Sequence, residues 1–399
     1  MTARTKVVVI GGGYSGVLAA NRLTQRTDLA ITLVNPRATF VDRIRLHQFA
    51  ADTHEAVADY ADVLSPAVNL VVDTATRIDA ETRTVELAGG DTLAFDHLIY
   101  AVGSSSAAPT VPGAAEFAHP LASLEEARAL KAALDSVAPT APVTVVGGGP
   151  TGIEAASELA EATGHPVTLV CGGVLGPYLH PRGRRSVART LGTLGVTVVD
   201  GPGTRVTAVT ASTVRLADGR ELPSAVTVWA AGFSVPPLAG DSGLSTDAEG
   251  RLLTDETFTS LDTPHIVATG DAAAPSGLPV RMSCQAAVQS GPQAADTVLA
   301  RIAERDPAPL NILFAAQCIS LGRRTGIFQI AHRNDVARGV HISGVAGGRI
   351  KEYICRGIVE QLAKEAEHPG ARRTTRITDG GHRERLLRRR SDAIAPLKG

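Results

Sequence analysis

Aromatic residues make up only 4% of this 399-residue chain, and its charges nearly cancel, to a formal net charge of -1. A balanced charge gives no general attraction for nucleic acid, so no nucleic-acid partner is expected. No apolar run reaches the roughly 18 residues that a spanning helix needs, so no transmembrane segment is expected. Cysteine is scarce: Cys171, Cys284, Cys318 and Cys355 lie far apart, without a CxxC unit or a compact zinc pattern. Buried thiols, and no metal site, are the expectation. The N-terminal apolar stretch is too short for a secretory signal and runs straight into a strand, which points to a reducing cytoplasm. The histidines show no Ser-His-Asp order and no metal-ligand spacing, which argues against hydrolysis.

What the chain has in quantity is glycine, 40 residues, within a composition that is 44% hydrophobic. Small apolar residues with many glycines suit α/β domains with tight strand-to-helix turns. Lys6–Ile10 reads as a strand, Gly11–Gly13 as a turn, Ser15–Leu23 as a helix and Ala30–Val34 as a second strand. A helix over Glu55–Leu64, small strands at Asn69–Val71 and Arg83–Leu87, and an apolar strand His97–Ala101 follow. Pro112, Pro120 and the polar stretch around Ser123 mark a boundary, after which the pattern restarts. Val143–Val146 is a strand, Gly147–Gly149 a turn, Gly152–Ala160 a helix and Val167–Val170 a strand; small strands and an apolar strand Ala225–Ala230 follow. The same order of elements occurring twice implies two related nucleotide-binding units. Beyond them lie a strand His265–Ala268, a helix Cys284–Ile302, small strands between Ile312 and Ile342, and a helix Lys351–Ala366. The expected fold class is α/β: two Rossmann-like three-layer nucleotide-binding domains plus a small α+β C-terminal domain. The expected domains are 1–115 with 250–305, 116–249 and 306–369, with an Arg-rich tail at 370–399 that is loose at its end.

Two glycine motifs carry the chemistry. Gly11, Gly13 and Gly16 form G-x-G-x-x-G between a strand and a helix, with Tyr14 and Ser15 inside the turn. Gly147, Gly149 and Gly152 repeat the arrangement, with Thr151 inside it. The first glycine permits the turn, the second lets the backbone approach a pyrophosphate, and the third lets helix and strand pack closely. Free N–H groups at the helix start then attract phosphate. Two dinucleotides in one chain imply electron transfer between them, with FAD and NAD(P)H the natural pair.

With these motifs the sequence resembles the FAD-dependent pyridine nucleotide oxidoreductases, closest to type II NADH:quinone oxidoreductase-like proteins, over about residues 5–360. The resemblance implies that Gly11, Gly13 and Gly16 bind FAD and that Gly147, Gly149 and Gly152 bind NAD(P)H. Tyr100-Ala101-Val102-Gly103 and Ala230-Ala231-Gly232 resemble the turns that close the two cofactor domains, with Val102 standing where Thr is usual. Ala268-Thr269-Gly270-Asp271 resembles the motif whose Asp binds the FAD ribityl chain; a helix N-cap at Asp271 is the plainer alternative. The absence of any cysteine before Cys171 excludes the redox pair of the disulfide-reductase branch. Cys284-Gln285-Ala286-Ala287-Val288-Gln289 resembles the A-Q-x-A-x-Q signature of quinone-reducing members, and places Gln285 and Gln289 on one helix face. The resemblance puts these amides beside the acceptor; two surface glutamines are the alternative. It also sends Glu154 toward the flavin and nicotinamide rings, although a Glu in a first helical turn is favourable in its own right. His47, Arg43 and Arg45 pass near the flavin by the same resemblance, and either line the acceptor pocket or are ordinary loop residues.

Asn35 occupies the strand end where an acid usually holds the FAD-site ribose, and can itself hydrogen-bond it. At the second site that position is Cys171, so no acid repels a 2′-phosphate, and Arg182, Arg184 and Arg185 follow. Dual use of NADH and NADPH, with a modest preference for NADPH, is the expectation. The reading is an FAD-dependent NAD(P)H oxidoreductase that passes electrons to a quinone or quinone-like small molecule. A flavin-dependent tailoring oxidoreductase is one alternative. A redox-sensing or electron-transfer partner protein resembling apoptosis-inducing factor is the other, motivated by the Arg-rich tail. A homodimer and peripheral contact with the inner face of a membrane are left open.

Overall fold

A computed structural model describes residues 4–371 and 381–394, the last four of these in backbone only. Two five-stranded parallel sheets organise it. In the first, the strands run in the order Ile266–Ala268, His97–Tyr100, Thr5–Ile10, Leu29–Asn35, Val68–Val72. In the second the order is Ala118–Pro120, Val226–Trp229, Val143–Val146, Val167–Val170, Thr197–Val199. Each central strand leads into a glycine turn and a helix, Tyr14–Leu23 in one and Pro150–Ala162 in the other. Each unit also carries a three-stranded antiparallel sheet, at residues 75–94 and 206–223.

Alternation along the strands produces the layers. Val143, Val145, Val226 and Val228 share one core with the helices, whereas Val146 and Trp229 share another with the antiparallel sheet residues Val206, Val214 and Leu216. Strands buried on both faces read as continuous β-branched runs, which is why the sequence shows them so clearly.

The third unit is an antiparallel sheet, Ala316–Leu321, Thr325–Ala331 and Ala337–Ser343, followed by the helix Gly344–Glu367. It bolts the other two together: Ile319, Leu321 and Ile327 enter the core of the second unit, and Ile358 and Leu362 enter that of the first.

One expectation about the elements is corrected. Residues 55–64 do not form one helix: Val57–Asp59 pairs with Thr39–Val41, and only the turn Tyr60–Val63 is helical. Ala56 at φ 54 and its N–H bonded to the His54 ring break any continuous helix there. The polar stretch at Ser123 holds a capping box, in which Ser123 and Glu126 satisfy each other's backbone N–H and start the helix Leu124–Asp135. The tail contains a helix, His382–Ile394, held by Arg383 on Glu256 at 2.6 Å and on the carbonyls of Pro275 and Leu278. The end of the tail, residues 395–399, where looseness is expected, falls outside the described residues.

Candidate functional site

The two glycine turns are built alike, atom for atom in what they forbid. A methyl on Gly11 would lie 2.3 Å from the Ala101 carbonyl oxygen, and one on Gly147 would lie 2.5 Å from that of Ala230. A methyl on Gly16 would lie 1.8 Å from the Gly11 oxygen, and one on Gly152 would lie 1.9 Å from the Gly147 oxygen. Gly13 and Gly149 differ: nothing stands within 4 Å of an added methyl at either. Both are extended N-cap residues of their helices, and neither helix has a side-chain cap or an acid in its first turn. Each turn thus presents uncapped N–H groups to open space, which suits a pyrophosphate. Thr151 is half-buried in the first turn of the second helix, and Gly103 and Gly232 turn the chain at φ 69 and 90.

The residues around the first turn hold it rigid. Asn35 accepts from the Gly12 N–H at 3.0 Å and donates to the Arg37 carbonyl, while the Tyr60 hydroxyl donates to the Gly12 carbonyl at 2.8 Å. Tyr14 faces away from the open space: its hydroxyl donates to Asp42 at 2.5 Å and accepts from the Ile44 N–H. Burial pushes both Tyr14 and Asp42 above their ordinary pKa values. The Ser15 backbone is closely packed, since a methyl on Gly291 would run into its carbonyl oxygen. The small residues there let the helix Cys284–Ile302 lie directly on the first glycine helix.

Asp271 follows the strand Ile266–Ala268 in the middle of a short 3-10 turn, Gly270–Ala272, and is not its N-cap. Ser283 is the N-cap of the next long helix, its hydroxyl accepting from the Ala286 N–H. Asp271 instead accepts from the Ser104 hydroxyl at 2.7 Å and the Ser283 N–H at 3.1 Å. Arg43 donates to Ser104 and lies 3.9 Å from Asp271, its guanidinium over the Phe233 ring. The carboxylate is partly exposed and has unused acceptor capacity.

Where the three units meet, charges are buried. Glu154 Oε1 accepts from the Ser320 N–H at 3.0 Å and the Ser320 hydroxyl at 3.2 Å, and pairs with Lys351 Nζ at 2.9 Å. Burial is the largest single influence and disfavours the Glu154 carboxylate, but Lys351, His47 and the Ser320 N–H together outweigh it and hold the carboxyl below its usual pKa. The Lys351 ammonium is correspondingly held well above its own, against burial, chiefly by Glu154. The pair is therefore ionised at neutral pH. His47 Nε2 lies 3.3 Å from the Ser320 hydroxyl, and burial pushes the imidazole down to about 4, so it is neutral. Arg45 is a tie to the C-terminal helix: it pairs with Glu352 at 2.9 Å and with Asp42 at 3.2 Å.

The pyridine nucleotide-disulphide oxidoreductase family matches residues 5–291. The chain belongs to this family. An NADH dehydrogenase-like protein of Mycobacterium tuberculosis is 31% identical over 353 residues, covering 81% of this chain and 87% of that protein. A type II NADH:quinone oxidoreductase of the same organism is 29% identical and covers 76% of this chain and 74% of that protein. Among solved structures, the sulfide:quinone oxidoreductase of Aquifex aeolicus superposes with a TM-score of 0.77 at 18% identity, covering 92% of this chain and 93% of that one. The chain is accordingly an oxidoreductase with the fold of the FAD- and pyridine-nucleotide-dependent enzymes, related to those that reduce quinones.

Within that family fold, Gln285 and Gln289 do not form a matched pair of free amides. Gln289 donates to the carbonyls of Gln285 and Leu313 and accepts from the Leu313 N–H at 3.0 Å. Gln293 does the same for Asn311. The two amides clamp the chain that enters the C-terminal unit, and Gln285 is left half-buried at the helix start. Arg184 bonds the Leu179 carbonyl, Arg182 stands against Gly339 of the C-terminal sheet, and Arg185 is exposed. All four cysteines are free, and burial pushes the Cys171 and Cys284 thiols up to about 12 and Cys355 to about 11. They are protonated thiols at neutral pH. Lys351 and Ser320 were not singled out by sequence reasoning. Their link to Glu154 runs between residues 166 or more positions apart, which no local pattern encodes.

Proposed function

We propose that the protein is an FAD-dependent NAD(P)H oxidoreductase whose electron acceptor is a quinone or quinone-like small molecule. The observation that carries this reading is the pair of equivalent glycine turns, each opening uncapped helix N–H groups onto unfilled space at Gly13 and Gly149. FAD would be held by Gly11, Gly13, Ser15, Gly16, Asn35, Gly103, Gly270 and Asp271, with Tyr14 bracing the turn. NAD(P)H would be held by Gly147, Gly149, Thr151, Gly152 and Gly232. FAD, when bound, supplies the hydride acceptor for the nicotinamide and the electron donor for the quinone. The quinone assignment follows the relatives named above as quinone oxidoreductases.

The protein's own groups position, charge and proton-load this chemistry. The open turns let the backbone reach each pyrophosphate without a side chain between. Asp271, with spare acceptor capacity, takes a ligand hydroxyl. The Lys351 ammonium, kept charged by Glu154, is the natural donor to a reduced acceptor oxygen, since oxidation of NAD(P)H by a quinone consumes one solvent proton. No helix among the described residues is long and apolar enough to cross a membrane. Domain limits at 1–115 with 250–305, 116–249 and 306–369 accompany this reading.

The test is direct. Purified protein supplemented with FAD is mixed with NADH or NADPH, and the flavin is followed before and after a soluble quinone is added. Rapid bleaching by the nicotinamide and rapid recovery with the quinone are expected. A chain that binds no flavin, or a reduced form that quinones leave untouched, overturns the proposal.

A further inference from the structure

One turn along the second glycine helix from Glu154 lies a second buried carboxyl, Glu158, whose side chain is 0% exposed. Its Oε2 has no hydrogen-bond partner. Its Oε1 stands 2.5 Å from the Thr53 hydroxyl oxygen, and that same oxygen stands 3.2 Å from the Gln48 carbonyl. A hydroxyl has one proton, and a carbonyl only accepts. The Gln48 carbonyl already accepts from the Thr53 N–H at 2.8 Å, so the Thr53 hydroxyl serves Glu158 Oε1, and Oε2 is the oxygen left without a donor. The bare Oε2 points to the protonated form: an unpaired oxygen is tolerable on a neutral carboxylic acid and costly on a buried carboxylate.

We propose that Glu158 is a neutral carboxylic acid at physiological pH and is the proton store that refills the Glu154–Lys351 pair. This rests on the oxidoreductase reading above. Two groups favour a charge on Glu158, the Thr53 hydroxyl that donates to it and the Arg323 guanidinium; burial and the other neighbours oppose one. Glu154 and Glu161 on its own helix repel a charge there, and Arg323, from the C-terminal sheet, reaches only to 3.8 Å with a partly exposed guanidinium. On the opposing segment stand Thr53, Gln48 and the neutral His47. Lys351 and Glu352 of the C-terminal helix are committed to Glu154 and to Arg45. The balance of these effects, led by burial, raises the Glu158 pKa.

The proton then has a route. It enters at Thr53, which is half-buried beside the exposed Asp52. It is held on Glu158 and, because the two carboxyls share no hydrogen bond, would cross the one helical turn to the Glu154 carboxylate through a bridging water. Lys351 gives one proton to the reduced acceptor and takes one back from Glu154. One solvent proton enters for each one delivered, and no group changes its net charge over a cycle.

Infrared pH titration of the oxidised holoenzyme, without substrate, tests the resting state. A protonated-carboxyl band should be present at neutral pH, lost in Glu158→Gln, kept in Glu154→Gln and shifted in Thr53→Val. Stopped-flow traces test the role. In Glu158→Gln, flavin reoxidation by a soluble quinone should slow about tenfold, less than loss of a direct acid–base group because water partly substitutes. Flavin reduction by the nicotinamide should stay within about twofold, and Glu158→Asp should restore part of the loss. Absence of the band in wild type, or its survival in Glu158→Gln, overturns the proposal, as does reoxidation at the wild-type rate in that variant. If wild-type protein reduces no quinone, the oxidoreductase reading fails separately, and the band alone still decides whether Glu158 is protonated.

Discussion

At the scale of single residues, the site depends on a few carboxylates whose charge is set by their neighbours. Asp271 is tied to Ser104 and Ser283 and poised by Arg43, so it stays in place without a ligand. Asp271→Ala should leave folding intact and weaken FAD retention. A hydrogen bond to a charged group is worth about 1.5–3 kcal/mol, or roughly a 10–150-fold loss of affinity. Flavin content after gel filtration, with FAD added back, measures it. Lys351→Met should be more damaging, because it strands the Glu154 carboxylate in the interior. Breaking such a pair costs about 3–5 kcal/mol at neutral pH. The sign with pH follows from the pair itself. In wild type the Glu154 pKa is depressed, so its stabilisation is present above the ordinary carboxyl pKa and is lost as pH falls through the lower folded value. In Lys351→Met the Glu154 pKa rises, so the variant should lose least relative to wild type at acid pH. Melting curves from pH 4 to 8 would show the gap closing toward pH 4; a constant gap would refute the pairing.

At the scale of elements, the glycine turns separate folding from binding. A methyl at Gly16 or Gly152 runs into backbone of the preceding turn, whereas one at Gly13 or Gly149 meets nothing. Gly16→Ala should therefore lose about 1–3 kcal/mol of stability or fail to fold. Gly13→Ala should melt within about 4 °C of wild type, a shift of under about 1 kcal/mol, yet purify without flavin. Gly149→Ala should keep its flavin and lose only its reduction by NAD(P)H. If Gly13→Ala retains flavin normally, the pyrophosphate does not approach that backbone. The helix Cys284–Ile302 makes a different point. Gln289→Leu would leave the Leu313 N–H and carbonyl without partners and should cost about 1–3 kcal/mol. Its effect on quinone KM should be smaller than that of Gln285→Leu, whose amide is not part of the clamp. Denaturant titration beside steady-state kinetics distinguishes the two.

At the scale of the whole molecule, the C-terminal unit joins the cofactor units and supplies Ser320 and Lys351 to their boundary. The tail helix lies elsewhere, on the loop around Pro275–Leu278, through Arg383 and Glu256. This contact is only partly buried, so its contribution is about 1 kcal/mol after solvent screening. Deletion from residue 370 onward should leave turnover with a soluble quinone within about twofold. Limited proteolysis at 255–280 should become faster. A large loss of turnover would instead place the tail in the catalytic unit.

The sequence by itself determined the central strands of the two parallel sheets and both glycine turns. Strands such as Val143–Val146 are buried on both faces and so are written as unbroken β-branched runs, and Gly11, Gly16, Gly147 and Gly152 answer to steric demands a few residues away. It also contained, unread, the capping box that starts Leu124–Asp135. The split of residues 55–64 depended on a strand partner at Thr39–Val41, and the tail helix on Glu256 more than a hundred residues back. The task of Gln289 depended on Leu313, and the surroundings of Glu158 on Thr53 and Arg323. Only the tertiary structure decided these, because a side chain's partner and the water it excludes arise from folding, and the charge of a buried group follows from both.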